Sequence, residues 1–281
     1  PDAWFDDDGK HYPNRTSDTK FAEKTVGSIN SANKLLLIEA KEGTIKRKPK
    51  PPFTTDTMLQ TANSILGWSI SKTSGVASSL YNSGHITYIR TDSTRTNKKA
   101  RESIRNHISG KLGKEYLGLG IGESGKKKNN VQDAHEAIRP SEPTIESAGK
   151  DVDEKKLYRL IWSRFAASQM SDSVRERRSL TFSCDGVKVP ITGTASWRTH
   201  DGWENVFSWS IGEVQSKPPE VGFTNGESWI IDSKAEMTVD YTKPPRRFTE
   251  SSIIQEMKRS EIGRPSTYVS MVKNLEQKKY I

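Results

Sequence analysis

The chain has 281 residues, a formal net charge of +9 and a hydrophobic content of 32%. Its single cysteine, Cys184, excludes an intramolecular disulfide and any zinc site made of several cysteines of this chain. No apolar run approaches the roughly 18 residues that cross a membrane, and no secretory signal is visible. We therefore expect a soluble protein from a reducing, intracellular setting, and the positive charge favours a polyanionic partner.

The first 50 residues are polar and acidic at first and then apolar. Three adjacent aspartates at 6–8 lie beside a turn, which is more typical of a solvated loop than of a metal site. The apolar run at 35–38 predicts a strand that ends in a tight turn at 41–43. A basic connector at 46–52 is stiffened by its prolines and predicts a domain boundary.

Two short helices are predicted next. Thr54 or Thr55 supplies an N-cap, and apolar residues recur at helical spacing as far as Gly67. A second helix is predicted from about Ser71 to Gly84. Two helices followed by a strand are typical of helix-turn-helix DNA-binding domains with a wing. The alternative is ordinary helical scaffolding.

A tyrosine, an arginine and a carboxylate then occur within five residues at a predicted strand end. The period of two would place Tyr88 and Arg90 on one face. A phenol has a pKa of about 10 in water, so a tyrosine nucleophile needs a neighbour that favours the phenolate. An arginine can do this and can also clamp phosphate oxygens. The alternative on spacing alone is a half-buried strand that leads into a capped turn.

The positive charge is concentrated between Arg90 and Asn130, where eleven lysines and arginines stand against four aspartates and glutamates. The pattern predicts a basic helix over 97–108 and a glycine-rich mobile loop over 118–130. This excess favours contact with nucleic acid, and the alternative is a solvated charged helix. A second polar group follows the loop: His135 with Glu136 and Arg139, the last two predicted as an ion pair one helical turn apart.

The next part of the chain predicts one core helix followed by several strands. An amphipathic core helix is predicted over 153–170. Antiparallel strands are predicted around 180–184, 187–195, 203–209 and 229–232. Four of the seven tryptophans lie in this stretch, and we predict packing residues rather than surfaces for base stacking.

The last segment predicts a helix capped by Thr249 and a second helix that opens near residues 263–268. Arg264, Ser266 and Thr267 beside a helix N-terminus form a candidate phosphate site. A proline-initiated helix with a serine cap explains the same residues equally well.

Four stretches, in this order, resemble motifs of type IA DNA topoisomerases. They are residues 51–57 (Pro-Pro-Phe-Thr-Thr-Asp-Thr), 86–93 (Ile-Thr-Tyr-Ile-Arg-Thr-Asp-Ser), 133–141 (Asp-Ala-His-Glu-Ala-Ile-Arg-Pro-Ser) and 263–268 (Gly-Arg-Pro-Ser-Thr-Tyr). The stretch before Pro51 is similar only in general character. The sequence Ile-Arg-Thr-Asp-Ser differs from the Pro-Arg-Ser-Asp-Ser that is typical of topoisomerase III. This difference favours the topoisomerase I or reverse-gyrase branch.

The resemblance implies a chemistry for the tyrosine segment. Tyr88 would attack one DNA strand and form a 5′-phosphotyrosine, with Arg90, Asp92 and His135 as the other catalytic residues. Asp92 is expected to orient Arg90 or the turn rather than act as a base, because a carboxylate is much more acidic than a phenol. The residues expected to bind DNA are Thr91, Ser93, Arg95, Lys126, Lys127, Lys128, Arg139, Arg264, Ser266 and Thr267.

The resemblance also implies an α+β fold of several domains. A mainly helical tyrosine domain, 51–174, with helix-turn-helix character would be inserted in a β-rich arch made of 1–50 and 175–245. Residues 246–281 would begin a helical DNA-binding domain.

The same resemblance implies an internal fragment of an isomerase. Nothing here matches the separate Toprim domain that holds Mg²⁺ in this family, so we expect no metal or other cofactor in this chain. We expect a monomer that prefers single-stranded DNA and works in the cytoplasm or nucleoid. We also expect this chain alone to bind DNA without relaxing it. The alternative function is a non-catalytic helix-turn-helix module in which Tyr88 and Arg90 only contact phosphate.

Overall fold

The computed structural model describes residues 4–5, 11–12, 15–121, 135–210, 212, 215–218, 222–241 and 243–280. Within these ranges the protein is α+β, with seven α-helices and a four-stranded antiparallel sheet, as the sequence predicts. Three predicted features lie outside the described residues: the aspartates at 6–8, most of the glycine-rich loop, and the lysines Lys126, Lys127 and Lys128.

The helices and strands are numbered in chain order. The helices are α1 (Thr19–Ala32), α2 (Thr55–Leu66), α3 (Ile70–Asn82), α4 (Lys98–Leu112), α5 (Val152–Ala167), α6 (Glu250–Arg259) and α7 (Tyr268–Gln277). The strands are β1 (Trp4–Phe5), β2 (His11–Tyr12), β3 (Lys34–Arg47), β4 (Ser173–Ser183), β5 (Ile191–His200) and β6 (Ser228–Ile230).

The chain divides into two compact units. The sheet unit contains Pro1–Ile45, Arg175–Thr199 and Gln215–Arg246, and the helical unit contains Lys46–Val174, His200–Val214 and Arg247–Ile281. The helical unit thus includes the last segment of the chain, α6 and α7. The predicted division into four domains stays a prediction.

The sheet unit has the strand order β5-β4-β3-β6, and β3 pairs with β6 in antiparallel register. The predicted tight turn at 41–43 is wrong, because β3 continues without interruption to Arg47. Side chains of β3 and β4 explain the continuation: Thr44 Oγ1 donates to Glu176 at 3.3 Å, and Arg178 pairs with Glu42 at 2.8 Å. These partners lie more than 130 residues away in sequence, so the local turn signal could not reveal them.

Helix α1 has no counterpart in the sequence prediction. Its N-cap is Asp18, whose carboxylate accepts a hydrogen bond from the Phe21 amide at 3.0 Å. None of its residues is buried. Phe21, Val26 and Ile29 are half-buried on one side of α1, a sparse apolar face among polar residues that the sequence prediction missed.

The predicted strand around 203–209 is also wrong. Two short 3₁₀ helices, Gly202–Asn205 and Ser208–Ser210, occupy this stretch. Trp203 is buried, and its indole donates to the Arg47 carbonyl at 2.8 Å. Gly202 has a φ of +49°, and a Cβ there would lie 2.4 Å from the Asp172 carbonyl oxygen. Trp209, predicted as a packing residue, is 43% exposed.

The core of the helical unit is built around α5, and helices α2, α3 and α4 pack on it. The sequence prediction of α5 is confirmed, as are the caps of α2 by Thr54 and Gly67. Helices α6 and α7 pack on α2 and α3 through a second apolar cluster that includes Leu59 and Ile254. Helix α2 is therefore held between α5 and the last two helices, which fixes the position of its N-terminus.

Glu146 links α4 and α5 through hydrogen bonds from Lys111, His107 and Arg159. Burial alone would raise the pKa of this carboxyl, but the three donors outweigh it and hold the pKa at about 2. A depressed carboxyl pKa stabilises the fold above the ordinary pKa of 4.5, and the stabilisation is lost as the pH falls toward 2.

Glu146→Gln should therefore lower the free energy of unfolding by about 1–2 kcal/mol near pH 6, and the difference should shrink between about pH 4.5 and 2. Urea unfolding of the variant and of the unsubstituted protein across this pH range measures the difference in free energy of unfolding. The matched control is Glu102→Gln, since among the described residues Glu102 forms only an exposed pair with Lys98 on α4. A Glu146→Gln effect that does not change with pH would contradict the assignment.

Candidate active site

The segment that carries Tyr88 is held on one side by the first residue of α2. Thr55 Oγ1 donates to the Ile89 carbonyl at 2.6 Å and accepts from the Thr91 amide at 2.9 Å. The Thr55 amide donates to the Thr91 carbonyl at 2.9 Å. One threonine thus fixes the backbone on both sides of Arg90.

The other side of the segment is held by residues 137–139. The Thr87 amide donates to the Arg139 carbonyl at 2.9 Å, and Thr87 Oγ1 donates to the Ala137 carbonyl at 2.7 Å. The Arg139 amide donates in turn to Thr87 Oγ1 at 3.0 Å. Two motifs that lie about 50 residues apart in the sequence therefore share one hydrogen-bonded framework.

The predicted strand at Tyr88 is wrong. Only an isolated bridge between Ile86 and Pro140 has strand character in residues 86–90. Exposure does not alternate either, since Ile86 and Ile89 are buried while Arg90 is exposed. The reason is that this segment bonds to two different partners, α2 and residues 137–139, and no single strand of the described part of the chain runs along it.

Tyr88 is half-buried between two other rings. Its ring centroid lies 5.0 Å from that of His135 and 5.4 Å from that of Tyr81, the latter in an edge-to-face arrangement. His135 and Tyr81 are exposed. The structure therefore brings together the predicted residues Tyr88 and His135. Tyr81 was not predicted as a neighbour, because it lies in the helix predicted from about Ser71 to Gly84, and local spacing does not show which later residues that helix contacts.

The residues that follow Tyr88 divide into exposed side chains and side chains that shape the backbone. Arg90 and Asp92 are exposed. Thr91 is 2% exposed, and its Oγ1 accepts from the Ser93 amide at 3.0 Å. Ser93 Oγ accepts from the Arg95 amide at 3.2 Å. Thr91 and Ser93 thus stabilise the turn on which Arg90 and Asp92 are exposed.

Glu136 anchors the His135 segment to α4. It accepts from the Asn97 amide, at the N-cap of α4, and from Arg139 Nε, both at 2.8 Å. Burial opposes ionisation of Glu136, yet the hydrogen bonds from Arg139 and Asn97 outweigh it and lower its pKa. The predicted ion pair is present, but no helical turn connects its members. Arg139 is 8% exposed and also donates to the Pro140 carbonyl.

The motif at 263–268 forms a tight turn before α7. Gly263 has a φ of +81°, and the Arg264 amide donates to Thr267 Oγ1 at 2.8 Å. Helix α7 begins at Tyr268, at the end of the range 263–268 in which the sequence predicts its start, and the alternative of a helix that starts at the proline is not found. Arg264, Ser266 and Thr267 are all exposed.

Charged groups from three motifs act on the Tyr268 hydroxyl. Burial raises the pKa of Tyr268, the carboxylates of Asp56 and Asp92 raise it further, and Lys258 and Arg264 lower it. Lys258 Nζ also lies 2.7 Å from Asp56 Oδ2. Charged groups of the motifs at 51–57, 86–93 and 263–268 therefore act on one hydroxyl, although local spacing gave no sign of the pair between Asp56 and Lys258.

Thr55→Val should lower the free energy of unfolding by about 1–3 kcal/mol. Valine has the shape of threonine but leaves the buried Thr91 amide without its acceptor. Urea unfolding gives the difference. Thr61→Val is the matched control on the same helix, because the Thr61 hydroxyl has no hydrogen-bond partner among the described residues. Equal effects of both substitutions would show that the hydrogen bonds of Thr55 contribute little.

Among the described residues no three His, Cys, Asp or Glu side chains are grouped so that they could hold a metal ion. None of the helices that the structure describes is long and apolar enough to cross a membrane.

Comparison with known proteins gives consistent matches over almost the whole chain. A family model described as DNA topoisomerase matches residues 4–281. DNA topoisomerase 1 of Thermotoga maritima is 41% identical over 273 residues, which cover 93% of this chain and 42% of that protein. DNA topoisomerase 1 of Escherichia coli K12 is 34% identical over 265 residues, which cover 92% of this chain and 30% of that protein.

A solved structure agrees with these relatives. The structure of full-length topoisomerase I from Thermotoga maritima superimposes with a TM-score of 0.74 at 36% identity, and the match covers 93% of this chain and 43% of that one. This chain thus spans less than half the length of the relatives described here.

Proposed function

The chain belongs to the DNA topoisomerase family, and from this membership we propose that it forms the tyrosine-bearing part of a type IA enzyme that cleaves and rejoins one DNA strand. The observation that carries the proposal is the contact of the half-buried Tyr88 ring with His135, 5.0 Å away. This contact joins the motif at 86–93, in which the nucleophile is expected, to the motif at 133–141, in which an imidazole that binds phosphate is expected.

The proposed reaction exchanges one phosphoester for another. Tyr88 Oη loses its proton and attacks the phosphorus, while the bond from phosphorus to the 3′-oxygen breaks. The 3′-oxygen takes up a proton and leaves as a 3′-hydroxyl, and the 5′-phosphate stays on the tyrosine. The reverse attack of the hydroxyl restores the strand. Because one phosphoester replaces another, the bond chemistry needs no ATP.

The neighbours of Tyr88 have distinct proposed roles. Arg90, exposed and always charged, would bind the non-bridging phosphate oxygens as negative charge develops on them. His135 would donate a hydrogen bond to the same phosphate. Asp92 would orient Arg90 or the turn, because its carboxylate is too weak a base for a phenol.

Other residues are proposed to position the DNA. Arg264, Ser266 and Thr267 are exposed beside the cluster that joins Asp92 to Tyr268, which suits contacts to the DNA backbone. Arg95, Lys126, Lys127 and Lys128 would add positive charge along the strand. Thr91, Ser93 and Arg139 would act mainly by holding the backbone around Tyr88, because they form hydrogen bonds with groups of the protein there.

The wider setting is also proposed from the family. The tyrosine domain would be inserted in a β-rich arch and followed by a helical DNA-binding domain. The described residues do not fit a Mg²⁺ site, so we assign the ion to a Toprim domain of the whole protein and derive no step from it. The partner would be single-stranded DNA in the cytoplasm or nucleoid, and the active form would be a monomer. This chain alone would bind DNA without relaxing it.

The proposal is tested in a chimera in which this chain replaces the matching segment of the Thermotoga maritima DNA topoisomerase 1. Cleavage complexes formed with a single-stranded oligonucleotide are trapped by denaturant and digested with protease. The DNA-linked peptide should contain Tyr88. An adduct on any other residue would sink the assignment, and a chimera that binds DNA but never forms an adduct would favour a non-catalytic binding module.

A further inference from the structure

A second cationic site lies in the helical unit, in a groove of about 570 Å³ along the later turns of α2. Ser64, which lines the groove, is nine residues beyond Thr55, or about 14 Å along the helix axis from the residue that holds the Tyr88 segment. None of the described residues that line the groove is an aspartate or glutamate. Its side chains include Lys50, Arg164, Gln60, Thr61, Ser64 and Trp209.

Arg164 is a buried cation in this groove. It is 7% exposed, and its Nε donates to the Pro51 carbonyl at 2.9 Å. Its guanidinium lies 4.7 Å from the ring centre of Phe53 and 5.3 Å from that of Phe207. In the described part of the chain no carboxylate pairs with it.

A cation in this position is costly to the free protein. Burial lowers the pKa of Arg164 to about 10, because loss of hydration disfavours the charged form. The carbonyl and the two rings offset only part of that cost, since they carry no full negative charge. A bound anion would supply the missing charge, and the planar guanidinium suits the oxygens of a phosphate.

The other side chains in the groove indicate what carries the phosphate. Gln60, Thr61 and Ser64 offer amide and hydroxyl donors of the kind that bind DNA phosphates. Trp209 is 43% exposed, and its contact with Phe207 at 5.5 Å and 84° fixes the indole beside the cations. An exposed aromatic ring beside a cationic groove is the arrangement that stacks nucleobases.

We propose that this groove binds one nucleoside phosphate of a single DNA strand, with the phosphate on Arg164 and Lys50 and the base on Trp209. The proposal rests on the proposed function in that it takes DNA as the partner, but it uses none of the residues around Tyr88. The groove would hold the strand at a second point and so extend the binding site beyond the cleaved phosphate.

The first measurement locates binding at Trp209. The 281-residue chain is labelled with 5-fluorotryptophan, and Trp209→Phe identifies the ¹⁹F resonance of Trp209 among the seven. Oligothymidylate should shift this resonance, and thymidine monophosphate should need at least about tenfold higher concentration, because it lacks the continuous strand. A monophosphate that binds as tightly as the oligonucleotide would overturn the assignment to a DNA strand.

The second measurement uses variants of exposed residues, which preserve the fold. Trp209→Ala should weaken oligothymidylate binding about tenfold. Lys50→Gln should reduce the salt dependence of log K by about 0.7 if it neutralises one phosphate. Lys155→Gln, the same charge change on an exposed residue of α5 outside the groove, is the matched control. Binding of oligothymidylate to Arg164→Gln is measured in the same way, after thermal unfolding has shown that this variant is folded.

The outcomes separate the two proposals. Oligothymidylate that binds without shifting the Trp209 resonance, or equal salt slopes for Lys50→Gln and Lys155→Gln, would overturn the groove. Tyr88→Phe should leave the Trp209 shift unchanged. A normal shift in a chimera that forms no adduct at Tyr88 would support the groove and refute the proposed function.

Discussion

Tyr88→Phe should abolish the covalent DNA adduct in the Thermotoga maritima chimera and with it the relaxation of supercoiled plasmid. Phenylalanine keeps the ring contacts with Tyr81 and His135 but has no oxygen to attack phosphorus. Loss of a nucleophile of this kind lowers the rate by about 10⁴-fold or more. Single-turnover cleavage of a 5′-labelled oligonucleotide, quenched with denaturant, measures the remaining rate.

Tyr81→Phe is the matched control. It removes a hydroxyl from the ring that touches Tyr88 and leaves both rings in place, so adduct formation should stay within about threefold of the starting protein. Binding of the uncleaved oligonucleotide is measured for each variant, because a lost adduct is informative only if DNA still binds. Persistence of the adduct in Tyr88→Phe, or its loss in Tyr81→Phe, would refute the assignment of the nucleophile.

Arg90→Ala should slow adduct formation in the same chimera by about 10²–10³-fold. The guanidinium is exposed at a turn whose backbone is fixed by Thr55 on both sides. Such a preorganised donor stabilises charge in the transition state, and removal of one donor of this kind costs this much in rate. Arg90→Lys should recover only part of the loss, because an ammonium lacks the planar pair of donors.

The control for Arg90 is Lys98→Ala, which removes one positive charge from the same basic segment at an exposed position of α4. It should weaken DNA binding slightly and leave the rate of cleavage at saturating DNA unchanged. If both variants lower only the affinity, Arg90 is a phosphate contact without a part in the transition state. The distinction comes from the dependence of the single-turnover rate on DNA concentration.

Much of the helical unit could be predicted from the sequence because the signals are local. The N-caps Thr54 and Thr249 and the C-terminal Gly67 each act within about one turn of their own helix. The apolar period of α5 likewise depends only on residues three and four positions apart. These features are fixed before any distant contact forms, so the predicted helices agree with the structure.

The candidate site was predicted in part, and by a different route. Family motifs, rather than spacing, indicated that Tyr88 and His135 belong together, and the structure places their rings in contact. The local period of two predicted a strand at Tyr88, which is absent. The roles of these residues in DNA cleavage stay predictions until an adduct is measured.

By itself the sequence determined the α+β class, the helices with strong caps and the family to which the chain belongs. Only the tertiary structure decided the path of the Tyr88 segment, the neighbourhood of Tyr81 and the burial of Arg164, which has no carboxylate partner in the described ranges. The physical reason is distance along the chain: Thr55 meets Thr91 36 residues later, and Arg164 meets Pro51 113 residues earlier. Such contacts depend on how the helices pack, and no local period or cap encodes them.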